Sequence, residues 1–437
     1  MRVTARQAAA AAGGSVHGPA GAFQGASTDT RTLVPGQLFV PVVAARDGHE
    51  FVEAALAAGA AAYLTSRAPG AGTAIEVEDT GRALWDLGRY ARSRLPDTVV
   101  GITGSVGKTT VKDLVAGGLA ATMRTHATQA SFNNELGVPL TLLGAPDGVE
   151  AVVVEMGARF PGDIARLCEL VRPMIGVITS IGSAHLEHLG GPEGVRAEKG
   201  SLLVDLPADG FAVVNEVDCG GDVRTRTSAT VVTFGTSTGD VRATIVGLDD
   251  ELRPTVRIES PWGTGTAILS VRGDHQAVNA AAAVATAVCA GVGFEVALAG
   301  VAGAEGSRLR AELWRTPSGL RVLNDTYNAN PTSTEAALRS LARLDAPRRV
   351  AVLGEMAELG DGAAAAHRDI GRLAQSLGIE VVAVAGAPYG GTPVASQDEA
   401  LDLVEALPAD SVVLLKASRS VGLDRLADRL RDGVGVR

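Results

Sequence analysis

Residues 99–112 read VVGITGSVGKTTVK. The β-branched residues at its start predict a buried strand, the glycines at 101, 104 and 107 break that strand, and Lys108 and Thr109 begin a helix. Backbone N–H groups in such a turn face inward at the positive end of a helix, which is typical of a phosphate-binding loop. We expect Lys108 to hold phosphate oxygens of a nucleotide and the Thr109 hydroxyl to ligate Mg²⁺.

The composition of the chain limits the partners that the protein could bind. The 437-residue chain has a formal net charge of −10, and aromatic residues make up only 3%. An acidic protein binds nucleic acid and anionic membranes poorly, and few aromatic side chains are available to stack on bases. We therefore expect neither nucleic acid nor membrane as a partner. Three widely separated cysteines, without a C-x-x-C pair, fit a cytoplasmic protein.

The longest nearly apolar segment lies at residues 277–304. It is mostly alanine and contains Asn279 and Glu295. Polar residues and small side chains predict a buried helix pair here rather than a membrane span.

Two motifs point to a family. The loop departs from G-x-x-x-x-G-K-[ST] because Ile102 stands in place of the first glycine, and its G-x-x-G-K-T-T pattern after G-I-T resembles the ATP loop of the Mur ligase family. Residues 324–331, NDTYNANP, directly follow a predicted strand and resemble the corresponding segment of MurF-type ligases. Further similar segments extend this resemblance over nearly the whole chain.

The resemblance implies a three-domain α/β architecture. Residues 1–97 would bind the UDP end of a sugar-peptide, residues 98–308 would form a central P-loop ATPase domain, and residues 309–437 would form a Rossmann-like domain. In the third part, alternating patterns predict strands at 321–323, 349–353, 381–385 and 412–415. Residues 211–272 predict short strands that form a small β appendage on the ATPase core.

The N-terminal motifs are STDTR at 27–31, PGQLF at 35–39 and DGHEF at 47–51. By resemblance, Thr30, Arg31, Asp47 and His49 contact the UDP-sugar-peptide substrate. The chain departs from the family pattern at residues 43–45, where Val-Ala-Ala replaces the usual Lys-Gly turn.

The predicted metal site begins at Glu155, a lone carboxylate after the apolar strand 151–154, since Mg²⁺ prefers oxygen ligands. His185 and His188 are three residues apart, but the zinc pattern H-E-x-x-H is absent. We expect His188 to be structural. The resemblance implies that His185 shares a second Mg²⁺ with Glu155 and that Lys199 carries a CO₂-derived carbamate. Ser201 departs from the glutamate that is usual near this lysine.

The resemblance implies four sets of site residues. Catalytic residues are Lys108, Lys199, His185 and Glu155, and metal ligands are Thr109, Glu155, His185 and Lys199. The ATP contacts are Gly104, Gly107, Lys108, Thr109, Thr110, Asn134, Gln276, Asn279, Arg308, Asp325 and Tyr327. Asn133, Asn328 and Asn330 complete the substrate contacts. A capped loop is the alternative for Asn133 and Asn134, and Gln276 replaces the asparagine that is usual at its position.

The function implied is ATP-dependent addition of D-alanyl-D-alanine to UDP-N-acetylmuramoyl-tripeptide through an acyl phosphate, with ADP and phosphate as products. Cofactors would be ATP and two Mg²⁺ ions, the partners small molecules, and the protein a cytoplasmic monomer. Two alternatives stay open: a sibling ligase with another substrate, and a P-loop ATPase that switches a partner.

Overall fold

The computed structural model describes residues 1–182, 186–219 and 223–433. Four β-sheets, most of their strands parallel, alternate with helices along the chain. The α/β class predicted from the sequence is confirmed. In the described residues, no helix is long and apolar enough to cross a membrane.

The N-terminal part contains a two-stranded antiparallel pair, β1-β3, and a five-stranded sheet of order β2-β7-β6-β5-β4. Its elements are β1 (Arg2–Thr4), α1 (Ala5–Ala12), β2 (Ser15–His17), β3 (Ala22–Gln24), β4 (Ala26–Ser27), β5 (Leu38–Phe39), α2 (Val52–Ala57), β6 (Ala62–Thr65), β7 (Ala74–Glu76) and α3 (Thr80–Arg92). Helix α1 begins at a capping box of Thr4 and Gln7, and α3 begins at Asp79, whose carboxylate accepts the Arg82 N–H.

The central part is a nine-stranded sheet of order β16-β15-β14-β13-β12-β11-β8-β10-β9. Its elements are β8 (Val99–Thr103), α4 (Lys108–Ala120), β9 (Thr125–Ala127), α5 (Gly137–Gly144), β10 (Ala151–Glu155), α6 (Asp163–Val171), β11 (Ile175–Ile178), α7 (Leu186–Leu189), α8 (Pro192–Val204), β12 (Phe211–Asn215), α9 (Glu216–Cys219), α10 (Val223–Arg226), β13 (Thr230–Gly235), β14 (Val241–Leu248), β15 (Pro254–Ser260), β16 (Gly263–Ile268), α11 (Gln276–Cys289) and α12 (Phe294–Gly303).

Helices cover both faces of the parallel strands, so strands β8, β10 and β11 are buried along their whole length. The predicted helix pair is confirmed as α11 and α12, which pack on α4 through small residues. A Cβ at Gly117 of α4 would lie 2.8 Å from the Gly300 carbonyl oxygen, so the close helix approach needs glycine there.

The predicted β appendage at residues 211–272 needs correction. Strands β12 and β13 are parallel members of the central sheet, and only β14, β15 and β16 form antiparallel pairs at its edge. The appendage is therefore continuous with the nucleotide-binding sheet, because β13 pairs with β14 in parallel through Phe234 and Gly235.

The C-terminal part is a six-stranded sheet of order β17-β18-β22-β19-β20-β21, parallel except for β17. Its elements are β17 (Glu312–Arg315), β18 (Arg321–Asn324), α13 (Pro331–Arg343), β19 (Arg349–Leu353), α14 (Ala363–Ser376), β20 (Glu380–Val384), β21 (Thr392–Val394), α15 (Gln397–Glu405), β22 (Val412–Lys416) and α16 (Asp424–Asp432).

Alternate residues of these C-terminal strands pack into two separate cores. Leu353 and Leu414 contact the side of α13 and α14, whereas Val352 and Val413 contact the side of α15 and α16. This is a doubly wound α/β unit, as predicted. The boundaries proposed between the three domains stay a prediction.

Candidate active site

A cleft of about 940 Å³ lies between the central and C-terminal sheets. On the central side it is lined by residues that follow β8, β10, β11 and β12, and on the other side by residues that follow β18, β19 and β22. All of these are carboxyl ends of parallel strands, where open α/β sheets bind ligands.

The phosphate-binding loop forms between β8 and α4. Gly104 has φ +151° and Gly107 has φ +83°, and a Cβ on Gly104 would overlap the Thr179 hydroxyl. The Ser105 N–H donates to the Ser180 carbonyl at 2.9 Å, and the Val106 N–H donates to the Ser180 hydroxyl at 2.9 Å. The segment after β11 therefore supports the loop from behind and leaves the N-terminus of α4 facing the cleft.

Lys108 and Thr109 project from the first turn of α4 into the cleft. The Lys108 ammonium donates to the Gly104 carbonyl at 2.7 Å. Burial lowers the pKa of Lys108, and the nearby Glu155 carboxylate opposes that shift. A phosphate anion beside this amine would favour its charged form. Binding such a phosphate is the role predicted for Lys108.

Glu155 ends β10 and is buried at the floor of the cleft. Its Oε1 accepts the Asn133 side-chain amide at 2.7 Å, and among the described residues its buried Oε2 has no hydrogen-bond partner. No cluster of three or more His, Cys, Asp or Glu side chains able to hold a metal occurs within the described ranges. Mg²⁺ commonly uses one or two protein ligands plus phosphates and water, so the free Glu155 oxygen and the Thr109 hydroxyl are each suited to hold such an ion.

Lys199 lies on α8 and is only 1% exposed. Burial, followed by the charge of Lys108, lowers its pKa to about 7, while Glu198 acts in the opposite direction. It is not among the residues that line the cleft. His185, the other predicted metal ligand on this side, lies outside the described residues.

Asp325 and Tyr327 line the opposite wall, after β18. The Asp325 carboxylate forms an ion pair with the buried Lys416 ammonium at 2.6 Å, and that ammonium also donates to the Asn328 carbonyl at 2.7 Å. The Tyr327 hydroxyl donates to the Ser131 hydroxyl, which joins the two walls. Asn330 caps α13 by accepting the Ser333 N–H at 2.9 Å, so its side chain also serves the fold.

Arg310 was not predicted, yet it lies in the cleft. It donates to the Thr109 hydroxyl at 3.1 Å, and its guanidinium carbon is 4.0 Å from the centre of the Tyr327 ring. The predicted Arg308, in contrast, is not among the lining residues, and its side chain is 71% exposed beside Asp428. Leu309 and Ala311 both have positive φ, and this backbone turns Arg310 inward.

Of the other predicted ATP contacts, all but Gly104 line the cleft. Gln276 and Asn279 project from α11, and the Asn279 amide donates to the Gln276 side-chain oxygen at 2.8 Å. Thr110 and Asn134 line it too, and the Asn134 side-chain oxygen also accepts the N–H of Gly137, the first residue of α5, at 2.9 Å.

The predicted N-terminal contacts do not line this cleft. Arg31 forms an ion pair with Asp29 at 2.5 Å, beside Thr30. The His49 ring Nε2 accepts the Ser66 N–H at 3.1 Å, so its Nδ1 carries the proton and donates to Asp47 at 2.6 Å. Asp47 also pairs with Arg67, and these contacts hold a turn of the N-terminal sheet.

Comparison with known families decides the identity of the central and C-terminal parts. A family model described as the Mur ligase middle domain matches residues 102–287, and another described as Mur ligase, glutamate ligase domain, matches residues 309–433. The chain belongs to the Mur ligase family.

Relatives place the chain among the MurF-type Mur ligases. It is 34% identical over 435 residues to the UDP-N-acetylmuramoyl-tripeptide--D-alanyl-D-alanine ligase of Bacillus subtilis, covering 93% of each chain. A crystal structure of MurF from Acinetobacter baumannii aligns with a TM-score of 0.85 and 32% identity over 99% of each chain. The Mur ligase architecture predicted from the sequence is thus confirmed.

A further Mur ligase structure concerns the nucleotide. The MurF ligase from Thermotoga maritima in complex with ADP aligns with a TM-score of 0.79 and 28% identity, covering 94% of this chain and 97% of that one. Binding of an adenine nucleotide by the Mur ligase fold agrees with the phosphate-binding loop described above.

Proposed function

We propose that this chain is the ATP-dependent ligase that joins D-alanyl-D-alanine to UDP-N-acetylmuramoyl-tripeptide in peptidoglycan precursor synthesis. The observation that carries the proposal is the meeting of the Lys108 loop, the Glu155 carboxylate and the 324–331 segment in one cleft, in a chain with full-length MurF-type relatives. ATP and the two peptide substrates are its ligands.

The chemistry follows from the charges in the cleft. A carboxylate is a poor acyl donor, so its oxygen attacks the γ-phosphorus of ATP, and ADP leaves. Lys108 and Arg310 would offset the repulsion between the two anions and hold the phosphates in line. The free amine of D-alanyl-D-alanine then attacks the acyl phosphate, and phosphate leaves as the amide forms.

We propose that Thr109 holds one Mg²⁺ ion at the phosphates, and that Glu155 and His185 hold a second one, with a carbamate on Lys199 as a further metal ligand. Bound Mg²⁺ would neutralise phosphate charge during transfer. The unpartnered Glu155 oxygen and the lowered pKa of Lys199 support this proposal, since CO₂ reacts with neutral amines. Glu198 precedes Lys199 on α8 and accepts the N–H groups of Gly162 and Ile164 at the start of α6. These two hydrogen bonds would hold the neighbouring Lys199 in position.

Roles for the other residues are proposals on the same basis. Asp325, Gln276 and Asn279 would contact the nucleoside of ATP, with Gly104, Gly107, Thr110, Asn134 and Tyr327 around its phosphates. Asn133, Asn328 and Asn330 would lie near the peptide substrates. Arg310 takes the place of Arg308 as the arginine at the phosphates, because Arg310 alone of the two lines the cleft.

The N-terminal residues Thr30, Arg31, Asp47 and His49 are proposed to bind the UDP-sugar end of the substrate. The three domains are proposed at residues 1–97, 98–308 and 309–437, and the protein is proposed to act as a cytoplasmic monomer. Because the cleft has walls from two of these domains, closure would complete the site.

The test is product formation by the purified chain. ATP, Mg²⁺ and UDP-N-acetylmuramoyl-tripeptide are incubated with and without D-alanyl-D-alanine, and phosphate and product masses are measured. The proposal predicts phosphate release that needs both peptide substrates and a product heavier by one dipeptide. ATP hydrolysis without an acceptor would instead favour an ATPase switch, and no turnover would favour a ligase with another substrate.

A further inference from the structure

One part of the cleft has no role in the chemistry described so far. The loop that follows β10 directs Arg159 and Phe160 into the cleft, and Phe160 is 55% exposed although it is a large apolar side chain. Its ring lies 5.4 Å from the ring of His188, so one face is partly covered and the rest is open.

Four hydrogen bonds to carboxylates hold this loop. Asp163 accepts the N–H groups of Arg159 and Phe160, each at 2.8 Å. Glu198 accepts those of Gly162 and Ile164, each at 2.7 Å. Bonds to ionised acceptors are stronger than neutral ones, so the loop is held in place while its two side chains remain free. Such an arrangement preorganises Arg159 and Phe160 for a ligand.

Arg166 lines the same end of the cleft, from α6. Its guanidinium carbon lies 4.8 Å from the centre of the Trp85 ring, and this stacking orients the side chain. In the part of the chain that the structure describes, neither Arg159 nor Arg166 forms an ion pair, whereas Arg419 at the opposite wall is paired with Asp424 at 2.9 Å. Within the described residues, Arg159 and the stacked Arg166 therefore have no ion-pair partner.

We infer that Arg159 and Arg166 bind a carboxylate of the substrate peptide other than the one that is activated. This inference rests on the proposed function. A related structure is named for a UDP-N-acetylmuramoylalanyl-D-glutamyl-2,6-diaminopimelate substrate. A glutamyl residue in a peptide uses one of its two carboxyl groups, and diaminopimelate also has two, so such a peptide carries carboxylates that do not react.

The distance between Arg159 and Glu155 agrees with this assignment. Arg159 is four residues from Glu155, so their backbones are at most about 14 Å apart, because an extended chain spans about 3.5 Å per residue. The activated carboxylate belongs beside Glu155 and Lys108. A second carboxylate, on the diaminopimelate itself or on the glutamyl residue before it, therefore falls within the range of Arg159. A planar guanidinium binds a carboxylate through two parallel hydrogen bonds, and the open Phe160 ring would cover the aliphatic part of the peptide.

The test compares Arg159→Gln and Arg166→Gln with the wild type in steady-state kinetics. Each variant is expected to raise KM for the UDP-tripeptide about tenfold, which corresponds to about 1.4 kcal/mol, because it loses a charge-assisted hydrogen bond. The kcat, and the KM values for ATP and D-alanyl-D-alanine, should change less than about twofold. Arg166→Lys keeps the charge but not the paired donors, so it should recover only part of the loss. Arg89→Gln, an exposed change on α3 outside the cleft, is the control and should match the wild type.

Two altered UDP-tripeptides identify which carboxylate binds. One has a carboxamide in place of the free glutamyl carboxylate, and the other has lysine in place of diaminopimelate. Both are measured as competing inhibitors, so that neither has to be turned over. For the one that lacks the bound carboxylate, the inhibition constants of wild type and variant should agree within about twofold. A tenfold loss that persists with both compounds, or variants that equal the wild type with the parent substrate, would overturn the inference.

These results are separable from those that test the proposed function. If the wild-type chain forms the pentapeptide product and the arginine variants bind the tripeptide normally, only the inference on Arg159 and Arg166 fails. Thermal unfolding of each variant shows whether it is folded. If loss of the Trp85 contact unfolds Arg166→Gln, the kinetics of Arg166→Lys test the inference instead.

Discussion

The guanidinium of Arg310 donates a hydrogen bond to the Thr109 hydroxyl at 3.1 Å, across 201 residues of sequence. The contact joins the segment that leads into the C-terminal sheet to the first turn of the phosphate-binding helix. Ser307 strengthens the junction, because its N–H and hydroxyl both donate to the Asp113 carboxylate of α4, at 2.9 and 2.6 Å. A cation from the second wall thereby reaches the predicted phosphate site.

Replacing Arg310 tests which arginine of this junction serves ATP. We expect Arg310→Gln to lower kcat/KM for ATP by about 10²–10³, the usual effect of removing one preorganised donor from a transition state. Arg308→Gln removes an exposed side chain of the same segment and should change kcat/KM less than about threefold. Phosphate release measured against ATP concentration compares the two variants. A larger loss in Arg308→Gln than in Arg310→Gln would restore the sequence prediction for Arg308.

Glu155→Gln tests the metal site. The change keeps the shape of the side chain but removes the charge of the unpartnered oxygen, so we expect the Mg²⁺ concentration for half-maximal activity to rise at least tenfold. Glu150→Gln is a matched control, because Glu150 lies just before the same strand, is exposed and pairs with Arg124 at 3.4 Å. An unchanged Mg²⁺ titration in Glu155→Gln would remove this residue from the metal site.

The buried Lys199 predicts that carbamate formation depends on pH and on CO₂. Because burial lowers its pKa to about 7, the amine is mostly neutral above pH 7 and can add CO₂, whereas protonation below pH 7 blocks the addition. After incubation with ¹³C-bicarbonate, we expect a carbamate resonance in the ¹³C NMR spectrum that weakens as the pH falls through 7. Lys199→Met should lack the resonance and the activity. A signal of equal size in that variant would assign the carbamate to another site.

The phosphate-binding loop predicts a steric requirement at Gly104. A methyl group there would overlap Thr179, whose hydroxyl donates to the Val106 carbonyl at 2.6 Å, and φ +151° disfavours any other residue. We expect Gly104→Ala to lower the free energy of unfolding by about 1–3 kcal/mol and to abolish ATP turnover. Gly247→Ala, where a Cβ meets open space, should leave both unchanged. Chemical denaturation and phosphate release measure the two effects.

Much of the fold was predictable because buried parallel strands are short apolar runs with clear ends. The predicted strands at 349–353 and 412–415 agree with β19 and β22 to within one residue. Strands β17 and β21 were missed. The first, ELWR, is a short edge strand with a charged residue at each end, and the second, TPV, contains proline, so neither shows the expected pattern.

The candidate site was predictable where a motif places several residues on one loop, as at Lys108 and Thr109. Arg310 was missed for a physical reason. Arg308 and Arg310 stand two residues apart in the same segment. Only the left-handed backbone at Leu309 and Ala311 makes their two side chains point in different directions. Non-glycine residues rarely adopt positive φ, so no sequence pattern indicates this turn.

The transfer of oxygen from substrate to phosphate tests the central claim most directly. UDP-N-acetylmuramoyl-tripeptide labelled with ¹⁸O in the carboxylate to be activated is incubated with ATP, Mg²⁺ and D-alanyl-D-alanine, and the released phosphate is analysed by mass spectrometry. Activation through an acyl phosphate predicts one ¹⁸O in each phosphate, because the attacking carboxylate oxygen leaves with it. Phosphate without label would mean that water attacks ATP, and would contradict the account.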